Sequence, residues 1–309
     1  MLSRLIDQVE VAFHGKRDVV RLATVAVLAR GHILLEDVPG VGKTTLAQAM
    51  ARALGLSFQR VQFTSDLLPS DVLGVSIYNP TTTGFEIRRG PIFTNIVLAD
   101  EINRAPPRTQ SGLLQAMQEG HVTIDDETLA LPEPFLVMAT QNPLEHHGTY
   151  PLPESQMDRF LMRISIGYPD EAAERKILLG AKGARQAAER VEPVLAAGQL
   201  LRLQALVDEV HAEESLVDHL MEIVRRTRSH PGLRAGASPR GAVALFRAAR
   251  AHALLDNRDF LAPDDIRRLV VPCLAHRLLP AGTAGGSREA HRESAALLEE
   301  LLDEVEPPV

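Results

Sequence analysis

The stretch Leu35–Thr45, LEDVPGVGKTT, constrains this chain more than any other. Gly40, Gly42, Lys43 and Thr44 match the end of the phosphate-binding pattern G-x-x-x-x-G-K followed by Ser or Thr. The apolar run Ile33-Leu34-Leu35 predicts a buried strand before it, and Thr45–Met50 predicts a helix after it. The pattern needs that strand–loop–helix setting. Glycines let the backbone curl so that N–H groups face phosphate oxygens, and the helix N-terminus adds partial positive charge. Asp37, Val38, Pro39, Gly40, Val41, Gly42, Lys43, Thr44 and Thr45 are therefore the candidate nucleotide-binding residues. Lys43 is expected to reach the β- and γ-phosphates of ATP, and the Thr44 hydroxyl to hold Mg²⁺. One position departs from the pattern: Asp37 stands where the first glycine belongs, which a negative φ would accommodate.

A chain of 309 residues is long enough for one large domain or two of medium size. Its net charge of −7 does not favour sequence-independent binding to a nucleic-acid backbone. With Cys273 as the only cysteine, no intrachain disulfide forms, which suits a reducing compartment. The N-terminal segment carries Asp7, Glu10 and Lys16 and lacks the apolar core of a signal peptide. No apolar run is long enough to span a membrane, and a cytoplasmic protein is expected.

Strands alternate with helices through the first half. Leu2–Ala12 and Asp18–Arg30 have helical apolar spacing, with Gly31 as a stop. Strands are expected at Ser57–Phe63, Asn95–Asp100, Phe135–Thr140 and Leu161–Ile166, with a helix at Pro107–Gln118. This order argues for a parallel sheet with helices on both faces. Residues 66–91, with Pro69, Gly74, Pro80 and Gly84, are too many for a plain connection and read as an insertion. It is either a surface loop or an element that touches a partner. Residues 121–131 read as a hairpin around Asp125-Asp126-Glu127. After Tyr168 the strand signals stop, and helices are expected near 171–180, 198–211, 214–229, 239–255, 263–276 and 289–305. The division expected is an α/β nucleotide-binding core at 1–168 and a smaller all-helical domain at 169–309.

Asp100-Glu101 ends the strand beginning at Asn95. In a chain with a phosphate loop, Asp100 would hold Mg²⁺ through its water shell and Glu101 would polarise the attacking water. Phosphoryl transfer needs both roles, because its catalysis is mostly positioning and charge stabilisation. His146-His147 beside Glu145 has no further ligands at metal spacing and reads as a solvated loop. Cys273 lies on an apolar helix face and reads as core.

Several motifs in order resemble the MoxR family of AAA+ ATPases. They are LEDVPGVGKT (Leu35–Thr44), FTSDLLPSDVLG (Phe63–Gly74), ADEINRAPPRTQSGLLQAMQE (Ala99–Glu119), ATQNP (Ala139–Pro143) and LPESQMDRF (Leu152–Phe160). The resemblance covers nearly the whole chain. It implies a P-loop (AAA+) core and a helical lid, with Asn142 as the sensor-1 asparagine near the γ-phosphate. A polar side chain there suits ligands that sit beyond the C-terminal ends of parallel strands, although an Asx turn before Pro143 is the alternative. Arg159 falls on the arginine-finger position, acting on the ATP of a neighbouring subunit; its alternative is an ion pair with Asp158 or another acid. Arg240 falls on sensor 2, against the alternative of an ordinary surface arginine. Arg104 is a candidate second contact across the subunit interface, and Val11–Lys16 resembles a segment that packs on adenine. The resemblance further implies a homo-oligomeric ring, expected to be a hexamer, and protein clients. It places the insert and the hairpin toward the ring pore, and often brings a von Willebrand factor A-domain partner. The expected activity is Mg²⁺-dependent ATP hydrolysis in chaperone-like remodelling of clients. A nucleotide-gated switch with slow hydrolysis and a nucleic-acid motor are the alternatives.

Overall fold

The computed structural model of the chain describes residues 1–142, 149–179, 188–282 and 287–308. Its first elements are α1 (Leu2–Glu10), α2 (Arg17–Leu28), β1 (Ile33–Glu36), α3 (Lys43–Ala53) and β2 (Phe58–Gln62). Next come α4 (Pro69–Leu73), β3 (Gly74–Asn79), β4 (Gly84–Arg89), β5 (Ile96–Asp100), α5 (Pro107–Glu119), β6 (His121–Ile124) and β7 (Glu127–Ala130). Then follow β8 (Leu136–Gln141), α6 (Glu154–Met157), β9 (Met162–Ile164) and α7 (Glu171–Leu179).

A five-stranded sheet has the order β2-β5-β8-β1-β9. β2 runs parallel to β5, with Gln62 opposite Asp100, and β5 runs parallel to β8. Every residue of β5 and of β8 is buried, which explains their continuous apolar sequences. α3 buries Leu46, Ala47, Ala49 and Met50 and packs against β5 and α1. α5 starts with Pro107 in its first turn, where the missing N–H costs nothing, and stops at Gly120, whose φ of 68° suits a glycine cap.

The segment read as an insertion is ordered. α4 leads into an antiparallel hairpin of β3 and β4. Gly74 enters that hairpin at φ 111°, and a Cβ there would sit 2.6 Å from the Arg88 carbonyl oxygen. β6 and β7 pair as a second hairpin, Thr123 opposite Thr128.

Later elements are α8 (Ala197–Glu209), α9 (Glu214–Ser229), β10 (Leu233–Ala235), α10 (Pro239–Leu255), α11 (Pro263–Leu274), β11 (Leu279–Pro280) and α12 (Ser287–Glu304). The region is helical as expected, with one addition. β10 and β11 form a short antiparallel pair, too brief to leave an alternating pattern. Cys273 is buried in α11, and α11 begins with Asp265 accepting from the Ala262 N–H at 2.8 Å. The same buried carboxylate takes two bonds from Arg258 and one from His252. Burial alone would raise its pKa, but these partners draw it down to about 2.

The chain divides into two compact units. One is Met1–Val20, Leu34–Arg159 and Ser165–Leu201; the other is Arg21–Ile33, Phe160–Ile164 and Arg202–Val309.

Candidate active site

β1 delivers the chain into a loop that turns at Gly40 (φ 89°) and Gly42 (φ 98°) before α3 begins at Lys43. Both angles lie in the left-handed region that glycine alone enters freely. A Cβ on Gly42 would stand 3.1 Å from the Phe13 ring, so Phe13 floors the loop. It belongs to the segment that resembles an adenine-packing stretch. Val38, Pro39 and Val41 complete the loop, with Pro39 exposed and Val41 buried. Thr44 and Thr45 are half-buried in the first turn of α3.

The Lys43 ammonium folds back on its own loop. It donates to the Asp37 carbonyl at 2.6 Å and to the Val38 carbonyl at 3.3 Å. Desolvation lowers its pKa, against the opposing pull of Asp37, Asp100, Glu101 and Glu36. Those four acids therefore lie within electrostatic reach of one ammonium.

Asp37 has no positive φ and its side chain is engaged. One carboxylate oxygen accepts from the Val38 N–H at 2.9 Å. The other accepts from the Ser165 hydroxyl (3.0 Å) and the N–H groups of Ile166 (2.8 Å) and Gly167 (2.5 Å). The Asp37 N–H also reaches the Gln141 carbonyl at 3.3 Å, tying the loop to the end of β8. Asn142 follows directly and is buried.

Asp100 and Glu101 sit at the end of β5. The Thr140 hydroxyl donates to Asp100 Oδ1 at 2.6 Å, and its oxygen accepts the Glu101 N–H at 2.8 Å. Arg60 of β2 donates to Asp100 Oδ2 through Nε (3.0 Å) and Nη2 (2.5 Å). Glu101 adopts φ 57°, ψ 49°, an uncommon conformation for a non-glycine residue. Such conformations cost energy and cluster at functional sites. Glu101 Oε2 accepts from Gln62 Nε2 at 2.8 Å and from Arg104 Nη1 at 3.0 Å. Arg104 thus has a partner within its own chain. Buried Gln110 fixes the turn after Glu101 by donating to the carbonyls of Ile102, Ala105 and Tyr150.

Arg159 follows α6 and donates to the Leu114 carbonyl of α5 at 2.6 Å, and not to Asp158. Its Nε is buried without a hydrogen-bond partner among the described residues. Arg159 lines a recess of about 280 Å³ with Ser111, Gln115, Gln118 and Gln156. Arg240 is exposed in the first turn of α10, in the other compact unit. Pro143 and the Glu145-His146-His147 cluster lie outside the described residues.

Sequence reasoning missed Arg60, Gln62, Thr140 and Gln110. Their signal is positional: Arg60 and Gln62 matter because β2 pairs with the strand that carries the acid pair, and strand order is not written in either segment.

The oxygen-only donors here, the Thr44 hydroxyl and the Asp100 carboxylate, suit a hard divalent cation such as Mg²⁺. A curled glycine loop feeding a helix, with lysine and strand-end acids beside it, defines the P-loop class of nucleotide-binding proteins. Comparison with known proteins narrows the class. The model of the ATPase family associated with various cellular activities (AAA) matches residues 32–162, and the AAA lid domain matches residues 225–301. The chain is 42% identical to chaperone MoxR1 of Mycobacterium tuberculosis, covering 90% of this chain and 75% of that protein. It is 33% identical to protein MoxR of Methylorubrum extorquens over 89% of this chain and 87% of that one. It is 48% identical to the uncharacterized protein YeaC of Bacillus subtilis, over 100% and 95% respectively. A crystal structure of a candidate ATPase from Cytophaga hutchinsonii superposes with a TM-score of 0.89 at 37% identity, covering 99% of this chain and 94% of that one. The chain belongs to the MoxR family of AAA+ ATPases.

Proposed function

We propose that the chain hydrolyses ATP with Mg²⁺ and uses the cycle to remodel client proteins in a chaperone-like role. The observation that carries this reading is the glycine loop that turns into α3 at Lys43, with Asp37, Asp100 and Glu101 within electrostatic reach of the Lys43 ammonium. Lys43 would exchange its loop carbonyls for phosphate oxygens. Thr44 and Asp100 would hold Mg²⁺, which when bound offsets the charge of the phosphate oxygens. Glu101 would orient and polarise the attacking water, and Asn142 would contact that water or the γ-phosphate. Arg159 would reach the ATP of a neighbouring subunit in a homo-oligomeric ring, for which we take a hexamer. Arg240 would touch the γ-phosphate as sensor 2. The core at 1–168 and the lid at 169–309 are the functional halves of this reading. The chaperone role is supported by a relative of that name. Protein clients, a von Willebrand factor A-domain partner and a cytoplasmic location extend it; among the described residues no helix is long and apolar enough to cross a membrane.

One observation favours a slow resting rate, as in a nucleotide-gated switch: the Glu101 carboxylate is already engaged by Gln62 and Arg104. Two substitutions test the site. Lys43→Ala is expected to abolish ATP binding in calorimetry. Glu101→Gln is expected to keep binding and lose phosphate release by about 100-fold or more. Wild-type binding by the first variant, or wild-type turnover by the second, removes the corresponding assignment.

A further inference from the structure

Arg60 and Gln62 are two apart on β2 and so share one face of the strand. Their neighbours on β5 are Leu98 and Asp100. Arg60 places two donors on one oxygen of Asp100, while Thr140 occupies the other. The Arg60 side chain is about half exposed (48%), whereas that of Asp100 is 12% exposed. Arg60 Nη2 also donates to Gln62 Oε1 at 3.1 Å, and Gln62 Nε2 donates to Glu101 Oε2 at 2.8 Å. The amide orientation is fixed chemically: a guanidinium only donates and a carboxylate only accepts. One continuous relay therefore runs Asp100–Arg60–Gln62–Glu101.

This arrangement has an energetic asymmetry. A largely buried carboxylate left without a counter-charge is costly. A half-exposed arginine loses little on release, because water solvates it. Asp100 is thus best served by always having a cationic partner, and Arg60 is a partner that can leave. We propose that Arg60 is a positioning residue that acts as the resident counter-ion of Asp100. It competes with the divalent cation for that carboxylate and passes the outcome through Gln62 to Glu101. The proposal rests on the reading of Asp100 as the residue that faces the metal. Departure of Arg60 from Asp100 removes the donor that holds the Gln62 amide oxygen, so Gln62 no longer has to present its N–H to Glu101. The metal-facing acid and the water-facing acid are then linked through β2, in addition to their adjacency on β5.

The test is the coupling between metal and nucleotide. The full chain is titrated with a mant-labelled non-hydrolysable ATP analogue by fluorescence anisotropy, once in EDTA and once in saturating Mg²⁺. The ratio of the two dissociation constants is the readout. Arg60→Gln is expected to weaken binding in EDTA, because Asp100 then repels the phosphates unshielded. It leaves binding in Mg²⁺ equal or tighter, so the ratio of the EDTA constant to the Mg²⁺ constant rises about five-fold, the scale expected for one partly solvated charge. Arg60→Lys keeps the charge but loses the fork, and its ratio should fall between wild type and Arg60→Gln. Parallel changes in both constants, with an unchanged ratio, would show that Arg60 merely supports β2 and would overturn the proposal. If only Arg60→Lys folds, a ratio at or below wild type overturns it equally. Asp100→Asn separates the two levels: its ratio should collapse if Asp100 faces the metal. A wild-type ratio there sinks the site assignment itself, and the Arg60 proposal with it.

Discussion

Asp37 occupies a position that the phosphate-loop pattern gives to glycine, and its carboxylate does work that glycine cannot. Burial alone would raise its pKa; the bonds from Gly167, Val38, Ser165 and Ile166 outweigh burial and hold it below the ordinary carboxylate value. A carboxyl whose folded pKa is depressed stabilises the fold above its unfolded pKa, near 4, and loses that contribution as pH falls through the folded value. Asp37→Asn is therefore expected to lower stability at pH 7 by about 1.5–3 kcal/mol, the range for hydrogen bonds to a charged group. The deficit should shrink as pH drops below about 4. Thermal melts of both proteins from pH 7 to pH 3 check this, and a gap that stays constant with pH would be wrong for a charge-based staple. At this scale, Lys43, Thr44, Asp100 and Glu101 were legible because each belongs to a local pattern. The partners of Asp37 were not, because Ser165, Ile166 and Gly167 lie far along the chain and nothing near Asp37 announces them.

Elements were legible where burial enforces a period. β5 and β8 are buried throughout and read as unbroken apolar runs. α5 buries Leu113, Leu114 and Met117 on one face, as its spacing requires. β10 and β11 were invisible because strands of such length carry no pattern. The β3–β4 hairpin was legible only as an insertion, because its apolar side chains face outward. Val75, Ile77, Tyr78 and Phe85 are exposed, Phe85 at 75%, with the rings of Tyr78 and Phe85 meeting edge to face at 5.5 Å. Apolar residues outside a core add little to folding, so the two elements should respond oppositely to truncation. Phe85→Ser is expected to change unfolding free energy by no more than about 0.5 kcal/mol. Leu113→Ala, at a fully buried site, is expected to cost about 2–5 kcal/mol. Urea denaturation of the two variants decides. A Phe85→Ser loss as large as that of Leu113→Ala would mean that the hairpin belongs to the core.

For the whole molecule, the sequence carried the order of motifs and the change from alternating strands and helices to helices. The boundaries of the two compact units fall inside elements, at Val20/Arg21 in α2 and at Ile33/Leu34 in β1. Such a partition depends on contacts between distant segments, and composition does not shift at those points. Arg159 raises the question of how many chains complete one site. Its guanidinium donates to the Leu114 carbonyl and borders a recess that Glu119 also lines, and it makes no ion pair with an acid among the described residues. A cation held in that way remains available to phosphate oxygens from outside. If it serves a neighbour, activity per chain must depend on assembly. Phosphate release per subunit should then climb as protein concentration rises through the assembly range. Arg159→Ala keeps a complete set of its own loop residues but supplies no finger, and an arginine finger is worth roughly 10³–10⁵ in rate. Mixed with wild type, it should lower activity by more than dilution where the sites of a ring act in concert, because each variant subunit leaves one site of the ring without its finger. An equal mixture should retain well under half of the wild-type rate if sites act in concert, and half if each site depends only on its own chain. A rate that is flat with concentration and falls only in proportion to the wild-type fraction would mean that Arg159 acts within its own chain, and a rate that the variant leaves unchanged would mean that it takes no part in catalysis; either result abandons the shared-site arrangement.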